Sequence, residues 1–217
     1  MPPEMMIPMI VIILLSVALH EFGHAKSADA AGDPTPRMMG RVTLNPLAHL
    51  DPLGTIMIIV TSLTGFGIGW GKPVLVDPTR MENPRWDGFM SVVWGPLTNV
   101  LIAVFCSLIY RGAIMLGLPE VATYAGLAVF VNLGLAFFNL IPLGPLDGHW
   151  LVAYLLPPEL GARFVRFSQV YGTFLLLALI IGGDILTAQG GTDPLTLVIW
   201  TPVAFLASRL LGIPVPV

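Results

Sequence analysis

The chain has 217 residues, of which 55% are hydrophobic and only 11% carry a charge. This balance excludes an ordinary soluble domain, and a net charge of −3 gives no reason to expect a nucleic-acid partner. Several apolar runs approach the roughly 20 residues that a helix needs to span a bilayer. The composition therefore predicts a polytopic helical membrane protein whose surroundings are the lipid bilayer.

The first predicted element is an apolar span over residues 5–25, which ends in the sequence His-Glu-Phe-Gly-His at residues 20–24. Residues four apart share one face of a helix, so His20 and His24 can point at a single ion. Glu21 is close enough to act as a general base on a water at that ion. Ionisable groups at membrane depth are costly and usually functional, which favours a metal site over two structural histidines.

The next stretch, residues 26–51, is rich in turn formers and predicts a structured loop at the membrane surface. Residues 53–69 are apolar but interrupted by glycine, and they fit a re-entrant hairpin better than a complete span. Residues 74–76 lie between prolines and predict a short edge strand.

Further spans are predicted over residues 88–111, 121–141, 170–185 and 195–211, with a polar link at 157–166. The predicted fold class is an all-α polytopic membrane protein. It has about five to six transmembrane helices and a short membrane-embedded β-hairpin or re-entrant element. We expect a catalytic membrane core over residues 1–156, followed by two C-terminal transmembrane helices in 157–217.

Basic residues predict the orientation of these spans. If residues 53–69 do not cross the membrane, nine of the ten lysines and arginines fall on one side of it. The positive-inside rule makes that side cytoplasmic. We therefore expect a multi-pass protein of the inner (cytoplasmic) membrane, with its N-terminus outside and its active site nearer the cytoplasmic face.

Catalytic zinc normally keeps three protein ligands, so the two histidines need a partner. The candidates are His49, Asp51, Asp147 and His149. Asp147 is the best choice on physical grounds, because it is a carboxylate at the end of a span where a proline and two glycines interrupt the helix. Broken backbone at membrane depth is tolerated only where it is buried in protein or lines a polar cavity.

Several stretches taken together resemble the site-2 protease family of intramembrane zinc metalloproteases, in its compact prokaryotic form. The matching stretches are residues 20–24, 32–34, 44–55, 69–74, 95–99 and 139–148. The chain departs from the family pattern at Gly144, where proline is usual, and at His149, where glycine is common.

The resemblance implies that His20, His24 and Asp147 bind one Zn²⁺ per chain, and that Glu21 activates the water. It also implies that Asn139 lies beside the substrate and helps to stabilise the oxyanion. The stretch 70–76 resembles the family's membrane-embedded hairpin, whose edge can pair with an unwound substrate segment.

Other polar or interfacial residues are candidates for contact with the substrate or with a metal ligand: Asn99, His149, His49, Trp70 and Val74. For Asn99 we favour an interhelical hydrogen bond. For His49 we favour a hydrogen bond that fixes its loop. Asn139 has the alternative role of capping broken backbone.

The predicted function is an intramembrane zinc metalloprotease that hydrolyses peptide bonds within or next to the transmembrane helices of protein substrates. One alternative is a membrane zinc-binding or transport protein without proteolytic activity, against which the almost purely apolar last two spans argue. A second alternative is a non-catalytic membrane scaffold, which the intact Glu21 disfavours. The sequence predicts no oligomeric state.

Overall fold

The computed structural model describes residues 3–64 and 69–213. Within those residues the chain forms eight α-helices and no strand. The helices are α1 (Pro3–Ala30), α2 (Thr35–Met38), α3 (Pro52–Thr64), α4 (Pro84–Met115), α5 (Pro119–Asn139), α6 (Gly148–Leu155), α7 (Pro158–Ala188) and α8 (Thr201–Leu211). Short 3₁₀ turns lie at Pro46–Ala48 and Pro78–Arg80.

Four of these helices, α1, α4, α5 and α7, are long and apolar enough to cross a membrane. They cover the spans predicted around residues 5–25, 88–111, 121–141 and 170–185, and they make the chain a membrane protein. α7 begins at Pro158, so the predicted polar link at 157–166 is wrong. Proline suits the first turn of a helix, and the arginines that follow it are good helix formers.

Two further apolar helices are shorter. α3 has 13 residues, about 20 Å at 1.5 Å per residue, which is too short to cross. The predicted last span, 195–211, is a π-helical turn at Thr196–Trp200 followed by α8. Pro202 has no N–H for the α-helical bond to Val198, which accounts for the wider turn before it. The predicted number of spans is therefore not confirmed.

The edge strand predicted at residues 74–76 is not formed. An isolated antiparallel bridge joins Leu50 to Gly71, and the Lys72 amide donates to the His49 carbonyl over 2.8 Å. Pro73 follows directly and has no N–H, so the ladder cannot continue through it. The β-hairpin is not confirmed, and residues 65–68 of the predicted re-entrant element lie outside the described residues.

The chain divides into two compact units, Met1–Asn132 and Leu133–Val217. In the first unit α1 packs against α4, and a Cβ at Gly23 would collide with Thr98 and with the Trp94 carbonyl. Small residues at such crossings let helices in membranes approach closely. The division into a core of 1–156 and two further helices stays a prediction.

In the second unit α6 packs against α7, and the segment between α5 and α6 is fastened to α7. The Gly144 amide donates to Ser168 Oγ over 2.7 Å, and a Cβ at Gly144 would lie 2.9 Å from the Ser168 carbonyl oxygen. Proline at position 144 could not donate this hydrogen bond. The departure from the family pattern at Gly144 thus has a local structural reason.

Candidate metal centre

His20 and His24 lie one turn apart on α1 and are buried, with 6% and 9% of their surfaces exposed. Their Nε2 atoms are 3.1 Å apart. The two rings meet nearly at right angles, with an interplanar angle of 87°. The predicted helical spacing thus brings the two Nε2 atoms close enough to bind the same ion.

The opposite nitrogen of each ring contacts an acceptor. His20 Nδ1 lies 2.6 Å from Asn99 Oδ1, and His24 Nδ1 lies 2.8 Å from the Ser91 carbonyl oxygen. Neither oxygen has a hydrogen to give, so each Nδ1 carries the proton and donates it. Each Nε2 of a neutral ring is then a lone-pair donor for a metal ion.

Two nitrogen lone pairs 3.1 Å apart repel unless the positive charge of a proton or a metal ion lies between them. A divalent cation supplies that charge, and neutral imidazole is a ligand that zinc prefers. The histidine pair therefore fits a zinc ion.

Asn99, on α4, belongs to a buried polar network. Its Nδ2 donates to the Ser16 carbonyl (3.3 Å) and to Asn132 Oδ1 (3.0 Å), and Asn132 Nδ2 donates to Ser16 Oγ (2.9 Å). Asn99 is fully buried and Asn132 is 1% exposed. The network ties α1, α4 and α5 together and directs the Asn99 oxygen at His20. It contains the interhelical hydrogen bond predicted for Asn99.

Gly95 lets the backbone of α4 pass directly beside the two imidazoles. A Cβ at this position would collide with the ring of His24 and come within 2.9 Å of His20 Cε1. Any side chain larger than hydrogen would therefore displace at least one ring. This close approach explains why glycine occupies position 95.

Glu21 lies on another side of α1, and it is half-buried. Its Oε2 accepts a hydrogen bond from the Val74 amide over 3.2 Å. A Cβ on Gly71 would lie 2.7 Å from Val17 Cγ1 and 3.2 Å from Glu21 Cγ, so glycine lets segment 69–77 pass close to this helix. The structure thus places Val74 beside the predicted general base.

Asp33, His49 and Asp51 make hydrogen bonds that hold the loop, and Asp33 also reaches segment 69–77. Asp33 is fully buried, and its two carboxylate oxygens accept from the Thr35 amide (2.9 Å) and the Asp77 amide (2.6 Å). His49 donates from Nε2 to the Thr43 carbonyl over 2.9 Å, which is the loop-fixing hydrogen bond favoured from the sequence. Asp51 accepts from the Gly54 amide over 2.8 Å and so caps α3.

Trp70 is 41% exposed, and a Cβ on Gly54 would collide with its carbonyl. Trp70 therefore packs on the first turn of α3. Its predicted contact with a substrate stays a prediction.

In the second unit, Asp147 stands at the start of α6, and its carbonyl accepts from the Trp150 and Leu151 amides. His149 is 4% exposed, and its Nδ1 donates to the Leu146 carbonyl. Burial lowers the pKa of His149, which favours the neutral ring. Asn139 Nδ2 donates to the Leu135 carbonyl over 2.9 Å, near the end of α5. The predicted metal and catalytic roles of these three residues stay predictions.

Sequence reasoning missed several residues around the histidines and segment 69–77. They are Ser16, Ser91, Asn132 and Arg41. Asn132 was detectable as a lone amide within an apolar run. Ser91 acts through its main-chain carbonyl, and no sequence signal reports such a contact.

Comparison with known proteins finds relatives whose sequences align with most of the chain. It is 35% identical over 189 residues to "Putative zinc metalloprotease YwhC" of Bacillus subtilis, a match that covers 83% of each chain. The chain belongs to the family of zinc metalloproteases that includes YwhC. It is also 30% identical over 178 residues to "Putative zinc metalloprotease Rip2" of Mycolicibacterium smegmatis, covering 77% of this chain and 64% of that protein.

A Rip2 of Mycobacterium tuberculosis matches at 30% identity over 178 residues, with 66% of its length covered. No family model matches the chain, and no solved structure matches it. The relatives support a metalloprotease that uses zinc, in agreement with the buried histidine pair on α1.

Proposed function

We propose that the chain is an intramembrane zinc metalloprotease of the site-2 type, which cleaves peptide bonds within or next to the transmembrane helices of its protein substrates. The observation that carries this proposal is the pair of Nε2 atoms 3.1 Å apart on α1, each on a ring whose Nδ1–H is already donated. α1 is also long and apolar enough to cross a membrane. Hydrolysis would then take place at membrane depth.

We propose Asp147 as the third ligand, to give the donor set His20, His24 and Asp147. Two imidazoles and one carboxylate are a common protein donor set for catalytic zinc, which leaves one position open. Asp147 directly follows the interrupted stretch after α5, where a helix at membrane depth gives way to irregular backbone. One zinc per chain follows from one such set.

A zinc ion in this position would polarise the scissile carbonyl and lower the pKa of a water molecule. Glu21 would accept a proton from the attacking water and pass it to the leaving amine. Glu21 directly follows His20 on α1, so the proposed base and a proposed ligand share one turn of helix. The Val74 amide holds one carboxylate oxygen, Oε2, through its hydrogen bond.

Peptide hydrolysis requires an extended substrate, because a helix hides its carbonyls in its own hydrogen bonds. The segment 69–77 has no regular secondary structure apart from the isolated bridge at Gly71, and Leu75 within it is 61% exposed. We propose that its open main chain pairs with an unwound substrate segment, with Trp70 beside it. Asn139 would help to hold the oxyanion with its amide group.

The positive-inside rule supports an inner-membrane location with the loop between α1 and α4 on the cytoplasmic side. Five of the ten basic residues of the chain lie in that loop or at the start of α4: Arg37, Arg41, Lys72, Arg80 and Arg85. The metal centre at the C-terminal part of α1 would then lie nearer the cytoplasmic face.

The test is zinc content together with cleavage of a transmembrane reporter, measured on wild type and on Asp147→Ala. We expect about one zinc per chain and cleavage in wild type, with both lost or sharply reduced in the variant. Asp193→Ala is the matched control, because Asp193 also begins a helix of the second unit and accepts from the Leu195 amide over 3.0 Å. It should keep its zinc.

Full zinc occupancy and intact cleavage in Asp147→Ala would show that another residue is the third ligand, and His149 and His49 would be tested next. Zinc binding with no cleavage of any reporter would contradict the proposed protease activity. Zinc flux into liposomes would then support the transport alternative.

A further inference from the structure

Arg41 is a buried cation in the loop that follows α2, with only 2% of its surface exposed. Its guanidinium donates to three main-chain carbonyls, those of Ala48, Lys72 (3.1 Å) and Pro73 (3.0 Å). Burial lowers the pKa of Arg41, and the negative charge of Glu21 opposes that shift. Arginine is rarely fully buried unless its charged group is paired.

The Pro73–Val74 peptide unit lies between Arg41 and Glu21. Its carbonyl accepts from Arg41 Nη2, and its N–H donates to Glu21 Oε2 over 3.2 Å. The C=O and N–H of a trans peptide are rigidly coplanar and point in opposite directions. A single rigid group therefore connects the guanidinium to the carboxylate.

We propose that Arg41 is the positioning residue for Glu21, and that it acts through the Pro73–Val74 peptide unit. This inference rests on the proposed function, in which Glu21 is the general base. Arg41 fixes the place of the Val74 amide, and its charge polarises the peptide so that the amide donates more strongly. In this role Arg41 acts through the peptide unit and not by direct contact with the substrate or the metal.

The shape of arginine suits this task. Its planar fork carries five N–H donors, and here it reaches carbonyls on both sides of the loop, at Ala48 and at Lys72–Pro73. Lysine keeps the charge but has a single donor atom. Glutamine keeps an amide donor but has no charge. The two substitutions therefore separate the effect of charge from that of geometry.

The first readout is amide hydrogen exchange at Val74 in the zinc-loaded, full-length protein, with zinc content measured on the same samples. Glu21→Ala removes the acceptor and sets the upper limit of exchange. We expect Arg41→Gln to raise the Val74 exchange rate by about 10-fold or more, since a hydrogen bond to a charged group is lost or weakened. Arg41→Lys should give a smaller increase, and zinc content should not change.

The matched control is Arg37→Gln, in the same loop region. Arg37 has 72% of its side chain exposed and pairs with Asp29 over 2.8 Å. This substitution should leave both the Val74 exchange rate and the zinc content as in wild type.

The second readout is steady-state cleavage of a reporter. We expect kcat of Arg41→Gln to fall by about 10- to 100-fold with KM unchanged, and Arg41→Lys to recover part of the loss. A Val74 exchange rate equal to that of wild type in Arg41→Gln would overturn the proposal. Zinc loss with faster exchange throughout residues 41–77 would also overturn it, because Arg41 would then be needed for folding.

If Arg41→Gln cannot be purified, Arg41→Lys decides the question by the same criteria. A wild type that cleaves no reporter would contradict the proposed function. The exchange measurement would still decide whether Arg41 sets the position of the Glu21 carboxylate.

Discussion

The two sides of α1 at the metal motif are built differently. On one side, His20 and His24 are buried against α4, and each Nδ1 contacts an acceptor on that helix, Asn99 Oδ1 or the Ser91 carbonyl. On the other side, Glu21 is half-buried and accepts from the amide of Val74, in a segment without regular secondary structure. The side chains of neighbouring residues on one helix are thus held by different parts of the protein, His20 by α4 and Glu21 by the loop.

This difference matches two requirements of the proposed hydrolysis. Metal ligands must keep their geometry before any substrate arrives, and a packed pair of helices provides such rigidity. A general base must face the water and the scissile bond, and a loop can adjust beside an incoming chain. Changes on the helix side should therefore alter zinc affinity, whereas changes on the loop side should alter catalysis.

The largest expected effect is on the loop side, from Glu21→Gln. The amide has nearly the shape of the carboxylate but cannot take up a proton at neutral pH. We expect cleavage to fall by about 10²- to 10⁴-fold, the usual contribution of a general base, with zinc content unchanged. Reporter cleavage and metal analysis on the same preparation measure both quantities.

A conservative change at a distant acidic residue is the control for Glu21→Gln. Glu159→Gln, in the exposed first turn of α7, should cleave as wild type does. Full activity in Glu21→Gln would refute the proposed role of Glu21 as the general base. Loss of zinc would show that Glu21 also contributes to metal binding, so that zinc affinity and catalysis do not depend on different sides of α1.

The next effect is on the helix side, from Gly95→Ala. The added methyl group collides with the His24 ring and crowds His20, so the two Nε2 atoms can no longer keep their spacing. We expect zinc affinity to fall by more than the roughly 10- to 100-fold that changes around metal ligands usually cause. Competition with a chelator of known affinity measures it.

Gly112→Ala is the matched control for Gly95→Ala, since it lies on the same helix and a Cβ there meets no atom within 4 Å. Alanine is also a better helix former than glycine, so α4 itself should not be weakened by either change. Equal zinc affinity in the two variants would mean that the imidazoles move aside without loss.

The sequence predicted the part of the site that depends on helical periodicity. The spacing of four between His20 and His24 requires only that residues 20–24 are helical, and the apolar run before them made that prediction safe. Asp51 was considered as a ligand, but it caps α3. An aspartate before proline looks the same in the sequence whether it binds a metal or caps a helix.

The contacts between distant segments were not predictable. Asn132 reaches Ser16 across 116 positions, and Arg41 reaches Pro73 across 32. Such pairs are set by helix packing and by the path of the loop, which periodicity does not report. The edge strand at 74–76 was predicted from its residue types, but a strand also needs a partner. The proline at position 73 removes a donor that pairing would require.

The smallest expected effect comes from Asn99→Ala, which tests whether the network behind the histidines acts on the metal. Without the Asn99 oxygen, His20 Nδ1–H loses the acceptor that fixes its tautomer and ring angle. We expect zinc affinity to fall by about 10- to 100-fold, with the helices intact. Ser107→Ala is the control, because Ser107 is buried on the same helix but bonds to the Val104 carbonyl of α4 itself.

Asn132→Ala extends this test by one hydrogen bond. Asn132 Oδ1 accepts from Asn99 Nδ2 and so helps to orient the amide that faces His20. A loss of zinc affinity smaller than that of Asn99→Ala would show that the effect of a network residue decreases with each hydrogen bond between it and His20. Equal losses would mean that the network works as one unit, because hydrogen-bonded groups polarise and orient one another. No loss in either variant would leave the packing of α4 against α1, through Gly23 and Gly95, as the feature that holds the ligands in place.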